Sequence, residues 1–295
     1  MGVCDGRVVI ITGAARGLGR EYALAFAAEG ASVVVNDLGG VADRQAAAAV
    51  AEQIKSAGGK AITNHDDIAD WDGAGRSIRA ALDAFGALHV VVNNAGILRL
   101  FAFEDEPLEN WDRTIHVHLR GHFCMARRAL DYWRAEHAAG RTVAARIINV
   151  SSGAGLQGAA GQASYSTAKG GIASLTLTQA AELGRYGITA NAVAPTARTR
   201  MTSEFWPDQI AKPDQGFDAM DPANVAPLLV WLGSQGSSHV TGCVFEVGGG
   251  LIALEEGWDF GPMIDRQRRW APAEVGSAVA VLLSRRRAPR AVWNT

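Results

Sequence analysis

Tyr165 and Lys169 lie four residues apart in a stretch that reads as helix, and Ser152 precedes the tyrosine by thirteen residues. Near the start of the chain, Gly13, Gly17 and Gly19 mark a turn between an apolar run and a helix. A phenol with an ordinary pKa of about 10 moves protons near neutral pH only if a cation stabilises its anion. A lysine one helical turn away supplies that charge. The set can therefore move a proton at a hydroxyl beside a phosphate-binding turn, as hydride transfer between an alcohol and a nucleotide cofactor requires. Only four of the 28 basic residues are lysines, so Lys169 stands out against an arginine-rich background.

Such groups need a scaffold, and the pattern of apolar runs supplies one. Val8–Thr12, Val33–Asn36, Ala61–Asn64, His89–Val92, Arg146–Val150, Ile188–Val193 and Val244–Val247 read as about seven strands. Helices are expected at Arg20–Ala28, Arg44–Ala57 and Gly73–Phe85, with two long ones at Trp111–His137 and Tyr165–Tyr186. Strands separated by helices at this interval predict an α/β fold. It is a Rossmann-type doubly wound parallel sheet with helices on both faces and its ligand beyond the carboxyl ends of the strands. Residues 1–252 are expected to form this domain. Residues 253–295 form a C-terminal extension with a loop from Leu251, a short helix near Ala273–Leu283 and an arginine-rich end.

With 295 residues, 48% hydrophobic and 20% charged, the chain can bury a sizeable core. A net charge of −2 argues against nucleic acid as a partner. Cys4, Cys124 and Cys243 are scattered and odd in number, so neither a disulfide framework nor a metal site is expected. There is no leader-like segment and no apolar run of the roughly 18 residues that a membrane span needs. A soluble, cytoplasmic protein is the expectation.

Thr12 to Gly19 follow a strand and open a helix, the setting of a dinucleotide-binding turn made by Gly13, Arg16, Gly17, Leu18 and Gly19. The same glycines could serve only to turn the chain. Asp37, at the end of the second strand and followed by Leu38, could accept hydrogen bonds from the adenosine ribose and would repel a 2′-phosphate. This favours NAD over NADP, although Arg16 could meet a phosphate. Asp37 would also suit an ordinary turn before Gly39 and Gly40. Asp67 and Ile68 could bracket the adenine or form a solvated loop.

The glycine turn, Asn93-Asn94-Ala95-Gly96, Ser152, Tyr165-Ser166-Thr167-Ala168-Lys169 and Asn191-Ala192-Val193-Ala194-Pro195 together resemble the short-chain dehydrogenase/reductase family over roughly residues 6–252. The resemblance implies Tyr165 as general acid or base and Ser152 as hydrogen-bond donor to the substrate oxygen. It makes Lys169 the group that holds the nicotinamide ribose and lowers the tyrosine pKa. It places Asn94, Ala95, Gly96, Pro195 and Thr199 at the cofactor. Where most members carry an asparagine, Val117-His118-Leu119-Arg120-Gly121 puts His118. The imidazole could join a proton relay or simply fill space and bond locally. The stretch from Val117 to Gly121, Val35-Asn36-Asp37-Leu38-Gly39-Gly40 and Phe245-Glu246-Val247-Gly248 are similar to the (3R)-hydroxyacyl-CoA dehydrogenase modules of the family, some relatives of which act on steroids. Pro195-Thr196-Ala197-Arg198-Thr199-Arg200-Met201 departs from those modules.

The resemblance thus implies NAD-dependent interconversion of a secondary alcohol and a ketone, on a 3-hydroxyacyl-CoA or a hydroxysteroid. The alternatives are an NADPH-linked 3-oxoacyl thioester reductase and a non-catalytic nucleotide sensor. Met201, Phe205, Trp206 and Phe217 could close over a hydrophobic substrate or act as packing anchors. Trp258, Phe260, Trp270 and Trp293 suggest an extension packed on the body or on a neighbouring subunit. Arg266, Arg268, Arg269, Arg285, Arg286, Arg287 and Arg290 read as a solvated tail. Family members usually pair through their two long helices, so a homo-oligomer, dimer or tetramer, is expected.

Overall fold

A computed structural model describes residues 2–257 and 259–287. In chain order the elements begin with β1 (Val8–Thr12), α1 (Gly17–Ala28), β2 (Ser32–Asn36), α2 (Val41–Ser56), β3 (Lys60–Asn64), α3 (Trp71–Phe85) and β4 (Val90–Asn93). Next come α4 (Leu108–Ile115), α5 (Gly121–Ala138), β5 (Arg146–Val150), α6 (Gly153–Gln157), α7 (Ala163–Leu183) and β6 (Thr189–Pro195). The chain ends with α8 (Arg200–Ser203), α9 (Ala226–Gly233), β7 (Val244–Gly248), β8 (Leu251–Glu255) and α10 (Pro272–Arg285).

The eight strands form one sheet in the order β3-β2-β1-β4-β5-β6-β7-β8, parallel throughout except that β8 returns antiparallel to β7. Runs such as Val8-Val9-Ile10-Ile11 are apolar on both faces because helices cover both faces. Alternation along β1 divides the core. Val9 and Ile11 pack with Phe26 and Leu229 on one side, while Val8 and Ile10 pack with Met125, Trp133 and Ile147 on the other. The Trp133 indole N–H, fully enclosed, donates to the Leu88 carbonyl at 2.8 Å. Strand order reverses between β1 and β4, which opens a crevice at the carboxyl ends where a ligand can enter.

Three features differ from the sequence expectation. The helix expected at Trp111–His137 is broken: α4 and α5 are joined by a π-helical turn, His116–Arg120, which inserts extra backbone and re-aims His118. The loop expected from Leu251 is β8, because Gly249, with φ +56°, and Gly250 make a two-residue turn that pairs Gly248 with Leu251. The sheet therefore runs past residue 252. Third, α10 forms close to its expected limits but buries none of its residues among those described, so the expected packing on the body is not seen there. Phe260 is exposed, and Trp270 lies under the Arg266 guanidinium at 5.1 Å. Trp258, Arg290 and Trp293 fall outside the described residues. Cys4, Cys124 and Cys243 are all free. No helix among the described residues is long and apolar enough to cross a membrane.

Candidate active site

The crevice is a cleft of about 620 Å³, within the range of small-molecule sites. It is lined by Gly13, Arg16, Gly17, Leu18, Gly19, Asp37, Leu38, Asp67, Ile68, Asn94, Ala95 and Gly96 from the first half of the chain. His118, Ser152, Tyr165, Lys169, Pro195 and Thr199 line it from the second. All the site residues named from sequence thus face one space.

At the β1 end the backbone is pinned open. A Cβ on Gly19 would lie 2.2 Å from the Gly13 carbonyl oxygen, so only glycine permits this closeness of turn and helix. The Asn94 side chain donates to the carbonyls of Thr12 at 2.9 Å and Gly13 at 3.2 Å. The Thr12 hydroxyl in turn accepts from the Asn94 and Ala95 N–H groups, each at 3.0 Å. Arg16, at the N-cap of α1, makes no side-chain cap, which leaves first-turn N–H groups for an anion. The uncapped helix and glycine cradle fit a dinucleotide pyrophosphate. At the end of β2 the Asp37 carboxylate accepts from Ala15 N–H at 3.1 Å and Gly39 N–H at 3.3 Å. Arg16 is tied to Asp43 at 3.1 Å and to the Ala42 carbonyl at 3.1 Å. Asn36, Asn64 and Asp66, which the sequence reading overlooked, brace this corner: Asn36 donates to the Asn64 side chain at 2.7 Å and to the Asp66 carbonyl at 3.1 Å.

At the β5 end, Ser152 caps α6, its hydroxyl accepting from the Ala154 N–H at 3.2 Å and facing Tyr165. Ser151 does not compete for this place, since its hydroxyl donates to the Lys169 carbonyl at 2.8 Å and is buried. The Lys169 ammonium donates to the Val150 carbonyl at 2.6 Å and lies 5.6 Å from the centre of the Tyr165 ring. Burial lowers its pKa to about 7. The Tyr165 phenol is not depressed as expected. Burial raises its pKa, the hydrogen bond with Ser152 opposes that rise, and the lysine cation is itself desolvated and turned to Val150.

His118 packs edge-on against Tyr165 with ring centres 5.3 Å apart. Its Nε2 faces the backbone of Ile97, 2.9 Å from the nitrogen and 2.7 Å from the carbonyl oxygen, and accepts from the first or donates to the second according to its tautomer, while its buried Nδ1 has no partner among the described residues. Burial, then Lys169, push its pKa well below the usual value, so it is neutral. A Cβ on Gly96 would sit 2.3 Å from His118 Cε1, so the ring needs that glycine. His122, one turn further on, is enclosed beside the backbone of His118, Asn93 and Val150, and its pKa is lowered to about 3, first by burial.

Met201 and Trp206 line the cleft, and Phe205 packs on Trp206 at 5.7 Å. Phe217 is exposed and does not line it. Arg113, Gln157, Gln162, Arg200 and Glu246 line it without having been singled out as site residues. Of these, Glu246 lay inside a quoted motif and Arg200 next to Thr199, and the other three carry no local signal. Thr199 caps α8, exchanging hydrogen bonds with Thr202. Among the described residues no cluster of three His, Cys, Asp or Glu could hold a metal.

This doubly wound sheet and cleft define a nucleotide-dependent oxidoreductase architecture. The chain belongs to the short-chain dehydrogenase family, whose model matches residues 7–210, and is an oxidoreductase acting on CH–OH groups. It is 44% identical over 262 residues to the hydroxyacyl-CoA dehydrogenase ChsB1 of Mycobacterium tuberculosis, covering 85% of this chain and 80% of that one. It is 43% identical over 253 residues to the peroxisomal multifunctional enzyme type 2 of Mus musculus, covering 84% of this chain but 32% of that longer protein. A solved short-chain dehydrogenase from Mycobacterium avium, 52% identical, superposes with a TM-score of 0.90 over the whole of both chains.

Proposed function

We propose that the chain is an NAD-dependent dehydrogenase that oxidises the secondary hydroxyl of a 3-hydroxyacyl-CoA to a ketone, reversibly. The observation that carries this reading is the single wall on which Ser152, Tyr165 and Lys169 meet, facing the cleft whose other end Asp37 closes. The similarity to a hydroxyacyl-CoA dehydrogenase supports the substrate class. Bound NAD supplies the hydride acceptor. Tyr165 takes the hydroxyl proton, Ser152 donates to the same oxygen, and Lys169 anchors the wall at the Val150 carbonyl. Removing the proton while the hydride leaves the carbinol carbon balances the conversion of alcohol to ketone. Because the phenol pKa is raised, oxidation should accelerate as pH rises above neutrality. His118 is assigned as a positioning residue that holds Ile97 and the Tyr165 ring.

Asp37 carries a negative charge where a 2′-phosphate would sit, and Arg16 is already paired with Asp43, which favours NAD over NADP. Asp37→Ala should reduce NAD-over-NADP preference about tenfold or more, a loss of about 1.4 kcal/mol of discrimination. Absorbance assays of nicotinamide reduction with 3-hydroxyacyl-CoA thioesters and hydroxysteroids test the whole reading. No turnover of any of them, together with no NAD binding, would sink it. Exposed Phe123 and Leu177 lie on the two long helices α5 and α7, consistent with a homo-oligomer paired through them. Sedentation as a monomer at micromolar concentration would overturn that pairing.

A further inference from the structure

The charges of the cleft are sorted by position. Asp37, Asp66 and Asp67 lie toward the β2–β3 end, and Glu246, on β7, reaches the space beside Gly153, its Oε1 3.3 Å from where a Cβ would stand. Of the cationic side chains lining the cleft, Arg16 is paired with Asp43 at 3.1 Å, and Lys169 is buried on the Val150 carbonyl at 2.6 Å. The other two are Arg113 on α4 and Arg200, the first residue of α8. Both are exposed, and neither guanidinium has an ion-pair or hydrogen-bond partner among the described residues. They belong to elements that follow β4 and β6, strands separated by β5, so they reach the rim from different parts of the chain.

Unpaired guanidiniums on the rim of a cleft are suited to phosphate, which they bind through paired N–H donors. A substrate whose reacting carbon sits at Tyr165 and Ser152 would meet the Glu246 carboxylate on the side of Gly153, where an anionic tail is disfavoured. Its negative charge is therefore accommodated outward, at the rim. We propose that Arg113 and Arg200 form a phosphate-binding rim for the adenosine phosphates of a CoA thioester, an assignment that rests on the acyl-CoA reading above. The phosphates of the dinucleotide are the other source of the same chemistry. Arg200 adjoins Thr199, whose methyl lies 3.5 Å from where a Cβ on Gly17 would stand, close to the glycine turn.

Kinetics of the full chain with a 3-hydroxyacyl-CoA and with the matching N-acetylcysteamine thioester, which lacks the phosphates, separate these sources. For Arg113→Ala/Arg200→Ala, KM for the CoA thioester should rise about tenfold or more, as expected for losing charged hydrogen bonds. KM for the truncated thioester and KM for NAD should stay within about twofold. Calorimetric titration of free CoA into the NAD-saturated protein needs no turnover and should show the same loss of affinity in the double variant. An equal rise for both thioesters, a KM rise for NAD in place of CoA, or CoA affinity unchanged by the substitutions overturns the rim. If the protein turns over neither thioester yet binds CoA through these arginines, the acyl-CoA activity falls and the rim stands. If it turns over both equally and does not bind CoA, the activity stands and the rim falls.

Discussion

Helices α7 and α10 are both long enough to be regular, yet only α7 is held in place by the body of the protein. Ser164, Ala168, Ile172, Thr176, Gln179 and Leu183 of α7 are buried, and Thr176 and Gln179 find a partner on the sheet. The Asn149 side chain donates to Thr176 at 2.8 Å and to Gln179 at 2.9 Å. Val275, Ala278, Val279 and Leu282 of α10 follow a similar apolar spacing, but none of them is buried among the described residues. Its first turn is tied instead by Glu274 to Arg266 at 2.5 Å and to Arg268 at 2.7 Å, pairs exposed to solvent. Ion pairs of that kind contribute little. An apolar stripe makes a helix possible, but a surface to bury it against turns the helix into a rigid mount for reacting groups.

Substitutions can break or sharpen that contrast. Tyr165→Phe, on the buried helix, should cut turnover by about 10²–10⁴-fold while leaving NAD affinity and the thermal midpoint unchanged. Turnover near the parent level would mean that another group moves the proton. On the facing wall, Gly96→Ala forces a methyl against His118 and should cost about 1–3 kcal/mol of stability. Urea unfolding should show that loss and its partial recovery in Gly96→Ala/His118→Ala. Full destabilisation in the double variant would assign the clash elsewhere.

The enclosed His118 and His122 and the half-buried His89 respond to acid. His118, His122 (about 3) and His89 (about 4, lowered by burial and then Arg7) have folded pKa values below the ordinary 6.5. Below pH 6.5 the unfolded chain binds protons that the folded chain does not. The stability from these neutral rings is therefore fully present above pH 6.5 and is lost as pH falls toward 4 and 3. Each ring contributes a slope of up to about 1.4 kcal/mol per pH unit, measurable by urea unfolding at pH 7, 6 and 5. His122→Phe should flatten the profile, and an unchanged slope would remove His122 from the account. The smallest effect is expected at the other helix. Removing residues 266–295 should shift the monomer's unfolding free energy by no more than about 0.5 kcal/mol, and a larger loss would show that α10 has a surface to pack on.

Most of the sheet was legible because β1, β2, β4 and β5 are short β-branched runs set between helical stretches, a signal contained in each segment. The glycine turn, Asp37 and the Ser152–Tyr165–Lys169 spacing were legible for the same reason. The π-helical turn at His116–Arg120 was not, since its apolar period continues through α4 and α5. The strand β8 was missed although Gly249-Gly250 between apolar runs is a hairpin signal. Arg113, Gln157 and Gln162 reach the cleft from α4, α6 and the N-cap of α7, and no local pattern announces such a meeting.

By itself the sequence determined the order of strands and helices, the family and the residues able to move a proton, because periodicity and spacing are local properties of the chain. Tertiary structure decided what those residues feel. Enclosure lowers Lys169 to about 7 and turns it to Val150, raises the Tyr165 phenol, and seats His118 against Gly96. Each of these depends on desolvation and on contacts between segments far apart in sequence, which exist only once the sheet has closed around them.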